Sequence, residues 1–364
     1  MKILVLQDFL RSGGTERQSI LLSRGFTEAD HTTRLITMRP GGKLAEGIEE
    51  VDHRPLQAVD LRLDWFAPGL VRKARAMAPD IILCMGRIAN CYAGSLQKSL
   101  PAAAVVTTMR TGRPLPWLFR RSLRLSAHTI ANSDETRGNL VRLHGVPREK
   151  ISVIYNSLVF PPESALQRNS ALRAELGVRS GTKVLLSVAM FRPEKNQREL
   201  VEICAGLPGS LDWQLWLAGE GEARGECERL VARKKLGARV KFLGFHRNPT
   251  PLYLAADIAV HTSLSDSLSN FLIEAQAHGL PVVAYKGQGI AECFLPDDTG
   301  WVVALGDRSI FRKRIRRLSS DTDGRADRAL RARAFARIRF NPVRQVAAYL
   351  DLFAKLKIEA NASG

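Results

Sequence analysis

The part of the sequence that decides the fold is SLSDSLSNFLIEAQAHGLPVV, residues 263–283. Its first half is a polar loop that carries Asp266 and directly follows an apolar, strand-like run. We predict that a helix begins at Ser269 or Asn270, because both residue types are good N-caps, and that it ends at the Gly-Leu-Pro sequence. Open α/β sheets bind ligands where a parallel strand ends and a helix begins, and the free N–H groups of the helix favour phosphate there. The segment therefore predicts an α/β sheet with an anion-binding edge.

Strand-like and helix-like stretches alternate on both sides of this segment, which is typical of a parallel sheet covered on both faces. The alternation is interrupted at Phe160-Pro161-Pro162-Glu163-Ser164, which fits neither a helix nor a central strand. We therefore predict two Rossmann-like halves, residues 1–162 and 163–340, and a final segment, residues 341–364. A helix is predicted over Trp65–Met77. The predicted strands are Met1–Leu6, His31–Met38, Asp80–Cys84, Ala103–Thr107, Ala127–Ala131, Ile151–Ile154, Val184–Ala189, Trp213–Ala218, Val240–Leu243, Ile258–Val260, Pro281–Tyr285 and Trp301–Val303.

The composition is that of a globular protein, with 45% apolar and 25% charged residues among 364. No stretch approaches the roughly 18 uninterrupted apolar residues of a membrane-spanning helix, and the first residues do not resemble a signal peptide, so we expect a cytoplasmic location. The formal net charge of +18 predicts an acidic partner: nucleic acid, a phosphorylated substrate or an anionic membrane surface. The five cysteines have no metal-ligand or redox spacing.

Two acids eight residues apart, Asp266 and Glu274, lead into Glu-Ala-x-Ala-x-Gly-Leu-Pro-Val-Val, and this pattern resembles the signature of the family 4 retaining glycosyltransferases. Further motifs that resemble the family's follow in its order: Arg11-Ser12-Gly13-Gly14-Thr15-Glu16-Arg17, Asn132-Ser133, Ile151–Asn156, Phe191–Asn196, Leu217–Gly221 and Lys241–Phe245. The resemblance covers nearly the whole chain. It implies the α/β fold called GT-B, in which two Rossmann-like domains face each other across a cleft.

The resemblance also assigns a task to each part of the chain. Residues 1–162 would bind the acceptor, residues 163–340 would bind a nucleotide-sugar donor, and residues 341–364 would form a helix that returns to the first domain. Transfer would retain the anomeric configuration and need neither a metal ion nor another cofactor. A UDP-sugar is the expected donor. A lipid-linked, lipopolysaccharide or exopolysaccharide glycan is the expected acceptor, so the enzyme would work at the inner face of the cytoplasmic membrane.

Individual residues receive roles from the same resemblance. Glu274 should hold the nucleotide ribose, and Lys195 with Arg192 should neutralise the diphosphate, whose charge grows as the sugar–phosphate bond breaks. Gly13 and Gly14 would let the backbone approach the phosphates or the reacting sugar. The candidate catalytic residues are Asp266, Arg110, Lys195 and Arg192. The candidate donor-binding residues are Gly13, Gly14, Arg192, Lys195, Asn196, Gly244, Phe245, Asp266, Leu268, Ser269, Asn270 and Glu274.

Three positions depart from the family's pattern. Asp266 stands where the family usually has glutamate, so its shorter carboxylate either reaches the donor sugar or only holds the loop. Met190 stands where an arginine is common, which makes Arg192 the substitute candidate. Arg110 stands near the place of a histidine. Because arginine stays protonated, it would bind an anionic sugar, a donor phosphate or an acidic acceptor, or serve a purely structural role in an ion pair. Structural alternatives exist for two of these assignments. Lys195 and Arg192 would then be solvated loop charges, and Gly13-Gly14 would be an ordinary tight turn.

Two arginine-rich segments remain. In Arg110–Leu125 the apolar side chains and the cluster Arg120, Arg121 and Arg124 fall on different faces at helical spacing. This pattern fits either a helix on anionic lipid or an amphipathic helix packed on its own sheet. The second segment, Arg312–Arg339, is expected to be a solvated helical face. It contains Asp321-Thr322-Asp323, a formal match to the metal-binding motif of another glycosyltransferase fold, but no strand precedes it and no metal site is expected.

The alternatives to transfer are a GT-B nucleotide-sugar epimerase or hydrolase, and a catalytically silent nucleotide-sugar-binding protein. The order of the motifs argues against an epimerase. The departures at Asp266, Met190 and Arg110 leave the silent protein open. Nucleic acid is not an expected partner, because no recognised nucleic-acid-binding motif accompanies the charge.

Overall fold

The computed structural model describes residues 1–11, 13–321 and 324–362. The chain divides into two compact units: unit 1 comprises Met1–Ser157 with Asn341–Gly364, and unit 2 comprises Leu158–Phe340. Residues 158–162, assigned to the first half from the sequence, therefore lie in unit 2. Ser12, Thr322 and Asp323 lie outside the described residues, so the first glycine motif and the Asp321–Asp323 motif are described only in part. In the part of the chain that the structure describes, no helix is long and apolar enough to cross a membrane.

Unit 1 is built on one parallel sheet. Its strands are β1 Lys2–Gln7, β2 Thr32–Thr37, β3 His53–Pro55, β4 Ile81–Cys84, β5 Ala104–Met109, β6 His128–Ala131 and β7 Ile151–Val153. The helices among them are α1 Gly14–Glu28, α2 Leu70–Met77, α3 Arg87–Ser99, α4 Trp117–Leu125 and α5 Asp134–His144. The sheet order is β3-β2-β1-β4-β5-β6-β7. The central strands are buried along almost their whole length, as expected of a parallel sheet covered on both faces.

One helix prediction in unit 1 was wrong at its start. The pattern predicted a helix over Trp65–Met77, but α2 begins only at Leu70. Pro68 and Gly69 precede it, and Gly69 has a left-handed backbone with φ of 66°, so the chain cannot pass through these residues as a continuous helix. The short edge strand β3 was not predicted, because a three-residue strand gives no periodic signal.

Unit 2 repeats the architecture. Its strands are β8 Lys183–Val188, β9 Trp213–Ala218, β10 Val240–Gly244, β11 Ile258–His261, β12 Val282–Tyr285 and β13 Gly300–Val303. Its helices are α6 Ser170–Glu175, α7 Gln197–Ala205, α8 Arg224–Arg233, α9 Thr250–Ala255, α10 Asn270–Ala277, α11 Arg308–Ser320 and α12 Arg325–Arg339. These strands form a parallel sheet in the order β10-β9-β8-β11-β12-β13. The chain thus has the predicted pair of Rossmann-like halves.

The close packing of the loops after β8 and β9 depends on glycine. Gly219 and Gly221 have φ of 138° and 146°, and a Cβ on either would lie only 2.0 or 2.2 Å from the carbonyl oxygens of Ala189 and Phe191. Any side chain there would push the two loops apart. The Ala-Gly-Glu-Gly motif is therefore required by the backbone that surrounds the site.

The final helix, α13 Pro342–Ala362, packs on α1 of unit 1. Phe26 of α1 makes edge and tilted ring contacts with Tyr349 and Phe353 at centroid distances of 5.9 and 5.6 Å. Gly25 lies against Val346, and a Cβ on it would come within 2.4 Å of the valine side chain. The C-terminal segment is thus a structural part of the first half of the chain.

Candidate active site

In unit 2, the loop after β8 is fixed by hydrogen bonds to the loop after β11. The hydroxyl of Thr262 donates to the carbonyl oxygen of Asn196 over 2.9 Å. The amide of Leu264 donates to the carbonyl oxygen of Glu194 over 2.8 Å. Asn196 has a left-handed backbone with φ of 53°, which asparagine adopts more readily than most residues. These contacts place Lys195 next to the polar loop that precedes α10.

Asp266 lies between two basic side chains. Lys195 Nζ donates to Asp266 Oδ1 over 2.5 Å, and His261 Nε2 lies 2.7 Å from Asp266 Oδ2. The side chains of Lys195, Asp266 and His261 are 20%, 11% and 3% exposed. Burial alone would raise the pKa of Asp266, but the charge of Lys195 and the hydrogen bond from His261 outweigh it and hold that pKa well below its usual range.

This arrangement limits what Asp266 can do chemically. An ionised carboxylate only accepts hydrogen bonds, so Asp266 is not a proton donor at neutral pH, and His261 carries a proton on Nε2. The ammonium group of Lys195 already has an anionic partner. Any phosphate that binds Lys195 must share this cation with Asp266 or displace it.

Glu274 lies one turn inside α10, whose N-cap is Ser269, one of the two candidates that the sequence offered. The hydroxyl of Tyr253, in α9, donates to Glu274 Oε2 over 2.5 Å. Tyr253 is 1% exposed and stacks on His278 with ring centroids 4.8 Å apart. The buried tyrosine therefore fixes one carboxylate oxygen of Glu274.

The other predicted donor residues of unit 2 lie at the same edge of the sheet, where its parallel strands end. Gly244 ends β10 and accepts a hydrogen bond from the Gly219 amide over 2.7 Å, and Phe245 follows it. Leu268 is 6% exposed, which makes it a packing residue of the loop. Arg192 precedes the 3₁₀ turn Pro193–Lys195, and Asn270 opens α10.

Gly13, Gly14 and Arg110 belong to unit 1. Gly13 is the N-cap of α1 and Gly14 its first residue, so the glycine pair opens a helix after β1. The backbone of Gly13 is extended (φ −83°). The atoms nearest to a Cβ placed there belong to the movable carboxylate of Glu16, the closest at 2.4 Å.

Arg110, directly after β5, has its guanidinium engaged within unit 1. Nη1 donates to Asn156 Oδ1, and Nη2 donates to the hydroxyl of Tyr349 over 2.6 Å. These contacts tie the loop after β5 to the end of the first half and to α13. These contacts favour a structural role for Arg110. Its partners are an amide oxygen and a hydroxyl group, and not the acid of an ion pair.

His261 and Tyr253 were missed by sequence reasoning, although they hold the two acids of the signature. His261 carried a usable signal, because it is a titratable residue at the end of a strand that runs into the site. Tyr253 carried none, since it lies 21 residues before Glu274 on another helix. In the described residues, no group of three or more His, Cys, Asp and Glu side chains is placed to hold a metal ion.

Two family profiles match the chain. Residues 169–335 match the "Glycosyl transferases group 1" family, and residues 12–158 match "Glycosyltransferase Family 4". The chain belongs to the family 4 glycosyltransferases. The family that the order of the motifs predicted is thereby confirmed, and each half of the chain matches one of the two profiles.

Curated relatives of this family 4 chain match it over about half to two thirds of their length. The lipopolysaccharide core biosynthesis glycosyltransferase LpsE of Rhizobium meliloti is 31% identical over 50% of this chain and 53% of the relative. The N-acetyl-alpha-D-glucosaminyl L-malate synthase of Bacillus anthracis is 24% identical over 62% of this chain and 64% of the relative.

Solved structures show the fold. Anabaena Alr3699/HepE in complex with UDP and glucose has a TM-score of 0.82 and 23% identity, covering 97% of this chain and 99% of that one. Sucrose-phosphate synthase from Thermosynechococcus elongatus has a TM-score of 0.80 and 19% identity, covering 98% and 99%. The predicted GT-B fold class is confirmed.

Proposed function

We propose that this protein transfers a sugar from a nucleotide-sugar donor to a glycan acceptor with retention of configuration. The observation that carries the proposal is the cluster of Lys195, Asp266 and His261 in the loops at the edge of the unit 2 sheet. The loop of Asp266 leads into α10, and Glu274 lies one turn inside that helix. A cation, oriented backbone N–H groups and a fixed carboxylate are the groups that a diphosphate and a ribose require.

In the reaction that we propose, the bond between the anomeric carbon and the phosphate oxygen breaks, and its electron pair stays on the leaving phosphate. Lys195 and Arg192 stabilise the charge that develops there. The leaving phosphate takes the proton of the acceptor hydroxyl, and the new glycosidic bond forms on the same face of the sugar. No enzymic base is needed, which agrees with an Asp266 carboxylate whose low pKa makes it a weak proton acceptor.

The donor is proposed to be a UDP-sugar and the transfer to be independent of metal ions. The similar fold of HepE, crystallised with UDP and glucose, supports the choice of base, and the two basic residues supply the charge that a metal would otherwise supply. The acceptor is proposed to be a lipid-linked or lipopolysaccharide-type glycan at the inner face of the cytoplasmic membrane. The match to the lipopolysaccharide core glycosyltransferase LpsE supports it.

Nucleotide binding tests the proposal most directly. UDP, GDP, ADP and their sugars are added to the protein in a thermal-shift assay, with and without EDTA. We expect UDP to raise the melting temperature in both conditions, and Lys195→Ala and Glu274→Ala to reduce the shift. Lys313→Ala, an exposed lysine on α11, is the matched control and should leave it unchanged.

Four outcomes would contradict parts of the proposal. If no nucleotide stabilises the protein, donor binding is rejected. Stabilisation that EDTA abolishes rejects metal independence. If a UDP-sugar binds and is converted only to an epimer or to free sugar, the protein is an epimerase or a hydrolase and not a transferase. If a UDP-sugar binds and is not converted even in the presence of lipid-linked glycans, the protein is a silent binding protein.

A further inference from the structure

The loop of residues 58–66, between β3 and α2, exposes its apolar side chains. Val59, Leu61, Leu63, Trp65 and Phe66 are 70%, 52%, 36%, 61% and 38% exposed. Five large apolar side chains within eight residues are thus exposed in one loop, and the rings of Trp65 and Phe66 lie 6.3 Å apart. Exposed apolar residues that are grouped in this way mark interaction sites more often than singly scattered ones do. We call these residues the apolar loop.

The shape of the apolar loop is fixed from inside by a polar residue. Gln57 is 2% exposed, and its Nε2 donates to the carbonyl oxygens of Leu63 (2.8 Å) and Phe66 (2.7 Å). Its Oε1 accepts from the amide of Leu61 over 3.3 Å. The loop therefore has a polar interior and an apolar exterior, the reverse of the usual arrangement, and its backbone groups are satisfied without the apolar side chains turning inward.

The two acids of the apolar loop are neutralised. Arg39 donates two hydrogen bonds to Asp60, from Nε to Oδ1 over 2.7 Å and from Nη2 to Oδ2 over 2.9 Å. Arg39 Nη1 also donates to Asp64 Oδ1 over 2.7 Å, and Asp64 forms a second ion pair with Arg11. The hydrogen bond from Arg39 lowers the pKa of Asp60 to about 2. The loop thus presents no uncompensated carboxylate to a partner.

A second exposed apolar pair begins α4. Trp117 and Leu118 are 60% and 51% exposed, whereas Phe119 and Leu123 are 1% exposed and pack inward. Part of the apolar face that the sequence assigned to this helix, Phe119 and Leu123, therefore belongs to the core of unit 1. What remains outside is Trp117 and Leu118, next to a cluster of arginines.

Those arginines are without acidic partners. Arg120, Arg121 and Arg124 are exposed, and within residues 1–11, 13–321 and 324–362 none of them forms an ion pair. The sequence contains no Asp or Glu from residue 81 to residue 133. Arg121 lies over the ring of Trp117, 5.5 Å from its centroid.

Both apolar groups border the same helix, α3. The hydroxyl of Tyr92 donates to the carbonyl oxygen of Trp65, and Nη2 of Arg87 donates to that of Pro114 over 2.6 Å. The apolar loop and the segment that leads into α4 are thus both hydrogen-bonded to the first half of α3, and α4 itself packs on α3.

We propose that the apolar loop together with Trp117 and Leu118 is a membrane-insertion surface, which enters the interface of a bilayer rich in anionic lipid while Arg120, Arg121 and Arg124 hold the headgroups. This inference builds on the membrane-side location proposed above and adds to it the residues that enter the lipid. Tryptophan combines an apolar body with a polar N–H, which suits it to the bilayer interface. The unpaired arginines provide the complementary charge.

Tryptophan fluorescence gives a direct test. The protein has five tryptophans; Trp213, Trp216 and Trp301 are 2%, 0% and 3% exposed, so a response to lipid comes from Trp65 and Trp117. We expect vesicles of equal parts phosphatidylglycerol and phosphatidylcholine to shift the emission to the blue. Lipids with brominated chains should quench it, and Trp65→Phe with Trp117→Phe should abolish both effects while adsorption persists.

Vesicle flotation tests the energetics. Trp65→Ser, Phe66→Ser and Leu118→Ser together should weaken adsorption by at least about tenfold, because each removes exposed apolar area that lipid would cover. Val159→Ser, Leu305→Ser and Ile338→Ser remove the same number of exposed apolar side chains elsewhere and should have no effect. Serine at Arg120, Arg121 and Arg124 should remove the preference for phosphatidylglycerol, whereas serine at Lys313, Arg316 and Arg317 should not.

Other outcomes overturn the inference. Emission that no vesicle alters, or equal losses in the two apolar triple variants, rejects the surface. If light scattering shows a dimer that Trp65→Ser, Phe66→Ser and Leu118→Ser dissociate while vesicles have no effect, the surface joins two copies of the chain. UDP binding is measured on the same variants, since a protein that adsorbs to vesicles without binding UDP contradicts the proposed transferase and not the insertion surface.

Discussion

Two arginine-rich regions of this protein have similar composition and opposite surroundings. In α4, Arg120, Arg121 and Arg124 stand on an exposed face with no acid between residues 81 and 133. In α12, Arg325, Arg328, Arg331, Arg333 and Arg337 all form ion pairs with acids of unit 2. Arg328 and Arg333 are only 16% and 19% exposed, so the expectation of a solvated face was wrong for these two residues. Arg331, which is 48% exposed, agrees with that expectation. The difference teaches that an arginine cluster stabilises the fold where acids surround it, and remains available for a partner where they do not.

The paired region is centred on a buried carboxylate. Asp257 is 3% exposed in its side chain and pairs with Arg168 (2.8 Å), Arg173 (2.9 Å) and Arg325 (2.5 Å). Its Oδ2 also accepts the amide of Val184 over 2.8 Å. One acid thus links the start of α12 to the segment before β8 and to β8 itself.

The largest expected effect comes from removing this acid. Asp257→Asn should lower the free energy of unfolding by about 3 kcal/mol, because it leaves partly buried guanidinium groups without their counter-charge. Chemical denaturation followed by circular dichroism measures it. Arg121→Ser, in the unpaired region, is the control and should stay within about 0.5 kcal/mol of the parent. Equal stability of Asp257→Asn and the parent would remove the distinction between the regions.

The next effect concerns Lys195, which differs from both arginine regions: it is paired with Asp266 and also lies at the candidate active site. Asp266→Asn should lower kcat by about a hundredfold, as expected when a fixed charge near the reacting sugar is lost, while KM for the donor stays the same or falls because Lys195 is released to the diphosphate. Steady-state kinetics separate the two constants. Asp266→Glu, the family's usual residue, should recover most of kcat, and Asp327→Asn on the exposed face of α12 is the control. Unchanged turnover in Asp266→Asn would reduce Asp266 to a residue that holds the loop.

Acid should weaken the paired region specifically. Burial would raise the pKa of Asp257, but the Val184 amide and Arg168 outweigh it and lower that pKa to about 2. Because the folded pKa lies below the unfolded one, the stabilisation is complete above about pH 4 and is lost as the pH falls toward 2, amounting to about 2 kcal/mol. Denaturation curves across this range should show a steeper loss for the parent than for Asp257→Asn. Parallel losses would contradict the assignment.

The smallest effect is expected at an exposed pair. Arg331 and Asp298 lie 2.7 Å apart with side chains 48% and 36% exposed, so Arg331→Ser should cost no more than about 0.5 kcal/mol. It should leave vesicle adsorption unchanged, unlike the same change at Arg120, Arg121 and Arg124. Adsorption that falls with Arg331→Ser would show that total charge, and not its position, governs binding to lipid.

Much of the fold was predictable from local pattern. The buried strands of parallel sheets are continuous apolar runs, and those runs predicted the strands apart from β3 to within a few residues. The pair Ser269 and Asn270 predicted the start of α10 to within one residue, and Gly279 and Pro281 predicted its end, because helix ends depend on neighbouring residues. The Ser269 side chain itself forms no capping hydrogen bond. The start of α2 was predicted five residues too early, because Trp65 and Phe66 were counted as part of the apolar face of a helix. In the structure they lie in the loop before the helix and are 61% and 38% exposed.

The fold class, the family and the identity of the two signature acids could be read from the amino-acid sequence, since each follows from residues that are close together in the chain. The contacts of those acids required the folded structure: His261 and Lys195 for Asp266, and Tyr253 for Glu274. It also decided that Arg110 is engaged by Asn156 and Tyr349, that the arginines of α12 are paired, and that those of α4 are not. The physical reason is that charge pairing depends on distances between elements that lie far apart in the chain, and spacing along one sequence does not contain those distances.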